Sequence, residues 1–243
     1  MKLACSSADL ARSLATGALT QLEWLDWCAA ELAVDGVAFD VRHFPRTDDD
    51  YLAQLKKLCA DLGLTVAAVA DDAAFADEGA RALSIAHALG APVVVARAPH
   101  ALDDGGEAWN RFVAGAKSAA RAAKRTNVTL ALRNAPGTVC PGAAECKHLA
   151  KDVDSAWLRF APDLASLGPL EETSALLRRA VIATHELALG DDYRALARTL
   201  SGLRGFLLIE PAGPDPQAEL RSAVVRLRRA WAERQLEEMP ASP

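Results

Sequence analysis

Short apolar runs, each followed by a longer stretch of helical character, recur eight times along this chain of 243 residues. The runs are Lys2–Cys5, Gly36–Phe39, Thr65–Ala70, Pro92–Ala96, Thr129–Arg133, Leu158–Ala161, Val181–Thr184 and Gly205–Ile209. Their branched apolar side chains suit parallel strands covered on both faces. Between them, Thr20–Leu32, Asp48–Leu62, Ala76–Leu89 and Trp109–Thr126 read as amphipathic helices. In the second of these, Tyr51, Leu52, Leu55, Leu58 and Leu62 recur at three- and four-residue spacing, which makes a core-facing stripe. Gly63 and Gly90 stand just past two of the helices, where a left-handed residue ends a helix with no steric penalty.

Alternation of this kind dictates parallel strands joined by right-handed crossovers. Eight such units make either a closed barrel or an open doubly wound sheet. No glycine-rich phosphate fingerprint follows the first run, which counts against the dinucleotide-binding form of the open sheet. No Pro/Gly/Ser-rich linker divides the chain, and the length matches the roughly 250 residues of one barrel. The expected fold is α/β, a single (β/α)8 barrel over residues 1–243 with 238–243 as a frayed tail.

Composition narrows the function classes. With 51% hydrophobic and 24% charged residues, the chain can bury a large core. A net charge of −5 argues against a nucleic-acid groove, which needs a basic stripe. Cys5, Cys28, Cys59, Cys140 and Cys146 form no Cys-x-x-Cys pair and read as reduced, mostly buried thiols. The N-terminus MKLACSSADLARSL lacks the apolar core of a signal peptide. No apolar run reaches the roughly 18 residues of a membrane span. A soluble cytoplasmic protein is expected, with neither nucleic acid nor membrane as partner.

Arg133, Asp163, His185 and Glu210 each stand where an apolar run ends, the place where such barrels keep their chemistry. Asp, His and Glu are metal ligands; arginine is not. The segments GVAFDVRHFPRTDDDYLAQLKKLCADLGLTVAAV, AHALGAPVVVAR and VTLALRNAPGT resemble the xylose isomerase-like TIM-barrel superfamily, and the likeness extends to GFLLIEPAG near the C-terminus. The nearest members by this resemblance are sugar phosphate isomerases/epimerases, with apurinic endonucleases more distant. The resemblance implies a divalent cation (Mn, Mg or Zn) held by a Glu ending strand five, an Asp ending strand six, a His near strand seven and a Glu ending strand eight. Asp163, His185 and Glu210 match the last three; Arg133 stands in place of the first. The His expected three residues after the Asp is Ser166, a second Glu expected to move protons falls near Val139, and an Arg expected beyond the His is Asp191.

Charge accounts for what Arg133 can do. Two Glu and one Asp around a divalent cation leave one net negative charge; so do Asp163 and Glu210 around one guanidinium. The planar fork of arginine takes carboxylates bidentately, and without them it would be a costly unpaired charge on a barrel strand. Arg133 is therefore expected in the cation's neighbourhood, with no cofactor as the leading expectation and the divalent cation as the alternative. Arginine stabilises an oxyanion but cannot activate a bound water as a metal does.

Candidate catalytic residues are Arg133, His185 and Glu210; candidate metal ligands, if a cation binds despite Arg133, are Asp163, His185 and Glu210. Arg42 and His43 after the second strand, Arg97 and His100 after the fourth, and Asn134 beside Arg133 are candidate substrate contacts, because barrel-top loops favour function. Glu186 is expected opposite His185 across the strand, with His185 toward the barrel axis. Asp71 and Asp72 read equally well as caps before Ala73. Trp109 is placed near a barrel-top loop, within reach of a ligand. Two readings follow: a sugar phosphate isomerase/epimerase with an altered, metal-independent site, or a non-catalytic relative binding a carbohydrate-like metabolite or a protein partner. The family resemblance also allows a homodimer.

Overall fold

All eight apolar runs form strands: β1 (Lys2–Ser6), β2 (Gly36–Asp40), β3 (Thr65–Ala70), β4 (Val93–Arg97), β5 (Thr129–Arg133), β6 (Leu158–Phe160), β7 (Ile182–Leu187) and β8 (Phe206–Pro211). The computed structural model describes residues 1–76, 79–101, 106–167, 176–178, 180–187 and 191–238. The tail residues 239–243 lie outside this set.

The strands pair in the order β6-β5-β4-β3-β2-β1-β8-β7, all in parallel. The seam between β6 and β7 is bridged less regularly, because β6 has only three residues. There the N–H groups of Val181 and Thr184 donate to the carbonyls of Phe160 (3.2 Å) and Pro162 (2.9 Å). Isolated parallel bridges join Phe160 to Ala180 and Asp163 to Thr184. The result is a nearly closed eight-stranded barrel.

The helices described are α1 (Ala11–Thr16), α2 (Gln21–Ala30), α3 (Asp49–Asp61), α4 (Ala80–Leu89), α5 (Glu107–Thr126), α6 (Ala143–Val153), α7 (Tyr193–Thr199) and α8 (Pro216–Glu238). Their ends follow from local chemistry. Thr20 and Glu23 form a capping box at the start of α2, and the Asp48 carboxylate accepts the Tyr51 N–H at 3.1 Å to start α3. Gly63 and Gly90, at φ +70° and +74°, close α3 and α4 as the sequence predicts. The fourth helix begins at Ala80 rather than Ala76, because Gly79 at φ +63° is its cap. No helix among the described residues is long and apolar enough to cross a membrane.

Strand alternation divides the core into two layers. Outside the barrel, Leu3, Phe39, Leu55 and Leu83 pack between sheet and helices, and Trp24 meets Phe39 edge-on at 5.4 Å. Inside, Ala4, Ala38, Ala67, Ala68, Ala131 and Ala161 pack with the larger Val93, Val95, Ile182 and Leu208. All five cysteines are free and buried. Trp109 does not reach a ligand site: its ring stacks on His148 at 4.7 Å and its indole N–H donates to Asp152 at 3.0 Å, so it packs α5 on α6.

Close strand approach also explains Gly205, just before β8. A Cβ there would lie 1.9 Å from the Val181 carbonyl oxygen, whereas at Gly142 the nearest atom is the Glu145 carboxylate at 3.5 Å. Gly205→Ala is expected to destabilise the fold by about 1–3 kcal/mol, and Gly142→Ala by less than about 0.5 kcal/mol. Urea unfolding of both variants checks this; equal midpoints would contradict the packing seen at β8.

Candidate functional site

The residues that follow the inner apolar layer on each strand converge at the C-terminal end of the barrel. Ser6 ends β1, Asp40 ends β2, Arg97 ends β4 and Arg133 ends β5, while Thr184 and Glu210 lie near the ends of β7 and β8. Together with Arg42 and Asp72 they line a cavity of about 140 Å³.

Arg133 is the centre of this cluster. Its Nη2 donates to Glu210 Oε2 at 2.7 Å and to Asp163 Oδ2 at 3.0 Å, and its Nη1 donates to Glu210 Oε1. The fork is therefore bidentate on Glu210 and shared with Asp163, three strand ends held by one guanidinium. All three side chains are largely buried. Burial alone would lower the arginine's pKa, but Glu210 and Asp163 outweigh it and hold the group above its ordinary value. Asp163 Oδ1 is used separately, accepting the Ala165 N–H at 3.1 Å.

Asp9, behind Ser6, joins the same electrostatic neighbourhood. Its carboxyl accepts the Ser6 N–H at 2.8 Å. Burial and then the like charge of Glu210 push its pKa well above the usual carboxylate range, against the hydrogen bonds from Ser6 and Cys5 and the charge of Arg133.

His185 departs from its expected orientation. Ile182 belongs to the inner layer and Ala183 to the outer, and Thr184 lines the mouth. Strand alternation therefore turns His185 to the outer side and Glu186, which pairs in register with Glu210, toward the axis. His185 Nε2 instead stands 3.6 Å from Asp191 Oδ2. Its pKa is lowered by burial, against the opposing pull of Asp191 and Asp163.

Asn134 is also corrected as a ligand contact. It is fully buried, its Nδ2 donates to the Pro141 carbonyl at 3.1 Å, and its Oδ1 accepts the Asp163 N–H at 2.9 Å. It ties the loop after β5 to the end of β6 and so positions Asp163.

The remaining candidates divide among the mouth and its flanks. Arg97 pairs in register with Arg133, is exposed into the mouth, and its backbone N–H donates to Asp72 at 3.2 Å. His100 lies outside the mouth, in a flanking cavity of about 240 Å³ that shares Asp72 with it. Arg42 grips Asp40 through Nε (2.9 Å) and Nη2 (2.5 Å). Burial would raise the Asp40 pKa, but the Arg42 bonds win and hold it below the usual carboxylate range. His43 Nδ1 meets Ser7 Oγ at 2.9 Å. That hydroxyl also accepts the Asp40 N–H at 2.9 Å, so Ser7 links the end of β2 to the His43 imidazole.

Ser6, Asp40, Asp72 and Thr184 were not singled out as mouth residues from the sequence. The signal was present: Ser6 and Asp40 are the first polar residues after apolar runs, and each sits two positions beyond an inner alanine. Asp71 does cap Ala73, at 3.0 Å.

The donor set does not fit a divalent cation. Among the described residues no group of three or more His, Cys, Asp or Glu side chains is arranged to hold one. Asp163 and Glu210 are engaged by Arg133, and His185 faces the other side of its strand.

Removing the guanidinium leaves two buried carboxylates without their cation. Arg133→Met is therefore expected to cost about 3–5 kcal/mol. Adding Glu210→Gln is expected to recover part of that loss, so the double-mutant cycle gives a coupling above about 1 kcal/mol. A coupling near zero would mean that Arg133 and Glu210 do not interact.

Solved structures superpose on most of the chain. The probable 3-DHS dehydratase involved in petrobactin synthesis from Bacillus anthracis is 13% identical, with a TM-score of 0.77 over 94% of this chain and 99% of that one. The 3-keto-D-glucoside 4-epimerase from E. coli is 12% identical, with a TM-score of 0.74 over 94% and 99%. The D-psicose 3-epimerase from Clostridium cellulolyticum H10 is 15% identical, with a TM-score of 0.72 over 97% and 99%. At these identities the likeness is one of fold. No curated protein matches the sequence. The family model described as xylose isomerase-like TIM barrel matches residues 28–167, more than half of the chain, and the protein belongs to that family.

Proposed function

We propose that the protein is an isomerase/epimerase-like barrel that binds a small carbohydrate or sugar phosphate at its C-terminal mouth and works there without a divalent cation. The observation that carries this reading is the bidentate Arg133–Glu210 pair with Asp163, which supplies the strand-end carboxylates with a cation from within the chain. The mouth offers alternating donors and acceptors for hydroxyl groups: Ser6, Asp72, Thr184 and three arginines. Arg97 makes no ion pair among the described residues and faces the mouth, so it suits a phosphate or carboxylate on the ligand.

The names of the structural neighbours, two epimerases and a dehydratase, support turnover. One specific observation favours binding without turnover. Asp40, Asp163 and Glu210 are each paired with an arginine, and His185 is turned away. A metal-free proton transfer would have to use Asp72 or Glu186.

The first test is metal content and manganese-dependent melting of the wild type beside Arg133→Glu. The wild type is expected to be metal-free and unshifted. The variant, with three facing carboxylates, is expected to melt lower and to regain several degrees with millimolar manganese. Stoichiometric Mn, Mg or Zn in the purified wild type would overturn the cation-free reading.

The second test is calorimetric. Arg97→Ala is expected to weaken fructose 6-phosphate binding about tenfold, the effect of one charged hydrogen bond, and fructose binding much less. Equal losses for both sugars would remove Arg97 from anion recognition.

A further inference from the structure

Beside the mouth, between the segment after β1 and the turn after β2, lies a groove of about 430 Å³. It is three times the volume of the mouth cavity, about 140 Å³. The mouth alone is smaller than the roughly 300 Å³ at which pockets for drug-sized ligands begin; the groove falls inside that range. Arg42 lines both spaces, and its guanidinium is paired with Asp40 of the mouth.

The groove has an apolar wall and a donor-rich end. Leu14, Leu19 and Phe44 belong to the wall. At the other end stand Arg42, His43 and Gln21. His43 has its Nδ1 occupied by Ser7, which leaves Nε2 as the ring nitrogen without a hydrogen-bond partner among the described residues. Gln21 is 5% exposed; its Oε1 accepts the Tyr51 hydroxyl at 2.8 Å, while its Nε2 has no partner. A buried amide without a partner is unusual in a finished core. Arg42 and the His43 imidazole at the end of an apolar slot suit an apolar substituent that carries a polar atom.

We propose that this groove is the second compartment of the ligand site, holding an apolar, aryl-sized substituent of a carbohydrate whose polar head lies in the barrel mouth. The ligand class is thus a glycoside or other substituted sugar rather than a bare monosaccharide. This rests on the carbohydrate reading given above. Arg42, which lines both spaces, meets the linking oxygen, and His43 meets a polar atom on the substituent.

Calorimetric titration with glucose 6-phosphate and with 4-nitrophenyl β-D-glucoside 6-phosphate separates the two ideas. The aryl compound is expected to bind about tenfold or more tightly, the gain from burying one ring. Ala15→Trp, at an exposed position of the groove wall, is expected to bring the ratio of the two affinities close to one. Equal binding of both compounds to the wild type overturns the groove proposal and leaves the carbohydrate reading standing. An aryl advantage that survives Ala15→Trp places the ring elsewhere and also overturns it. If neither compound binds, both readings fall together.

Discussion

A guanidinium inside a barrel strand has to be neutralised where it stands, and at Arg133 that requirement organises the polar end of the molecule. The side chain reaches from β5 to β8 and to the residue just past β6, so one group ties three strand ends. This matters most beside the β6–β7 seam, where a three-residue strand leaves closure to isolated bridges. Asp163 is held from several directions: by Arg133, by Asn134 through its backbone N–H, and by its own cap on Ala165. Attraction between such groups roughly offsets the cost of taking them out of water. The arrangement therefore fixes geometry more than it adds stability.

The same device appears across the mouth. Asp40 is nearly buried and is met by Arg42 from the following turn. Its backbone N–H continues through Ser7 to His43, so one residue is tied both to the mouth and to the groove beside it. Below these charges the barrel is filled by alanine methyl groups together with the larger branched Val93, Val95, Ile182 and Leu208. The polar residues thus rest on a dry floor, where their mutual interactions are stronger than in water.

The fold was legible because it is written in repeated, redundant signals. Eight apolar runs matched eight strands, and Gly63 and Gly90 marked helix ends through the one backbone region they share. The partnership of Arg133 with Asp163 and Glu210 was legible from the family resemblance, which brings those strand ends together, and from their opposite charges. Orientation was not. Whether His185 or Glu186 faces the axis depends on a one-residue phase in β7 that VIATHE does not encode, and only pairing with β8 fixes it. Asn134 looked like a ligand contact because it borders the site, yet both ends of its amide are consumed by a loop and a strand end distant in sequence. The groove beside the mouth was illegible for a similar reason: its walls come from separate loops, and no local pattern announces a space.

The guanidinium at the centre of the mouth differs from a bound ion in one respect that outlasts any particular ligand. A tethered cation has no dissociation constant. It cannot be stripped by a chelator, exchanged for a competing ion or left vacant when supply is short. It arrives with synthesis of the chain, at an occupancy of one. The pairing of Asp163 and Glu210 with a cation is accordingly a property of folding itself and is in place as soon as β5, β6 and β8 have come together.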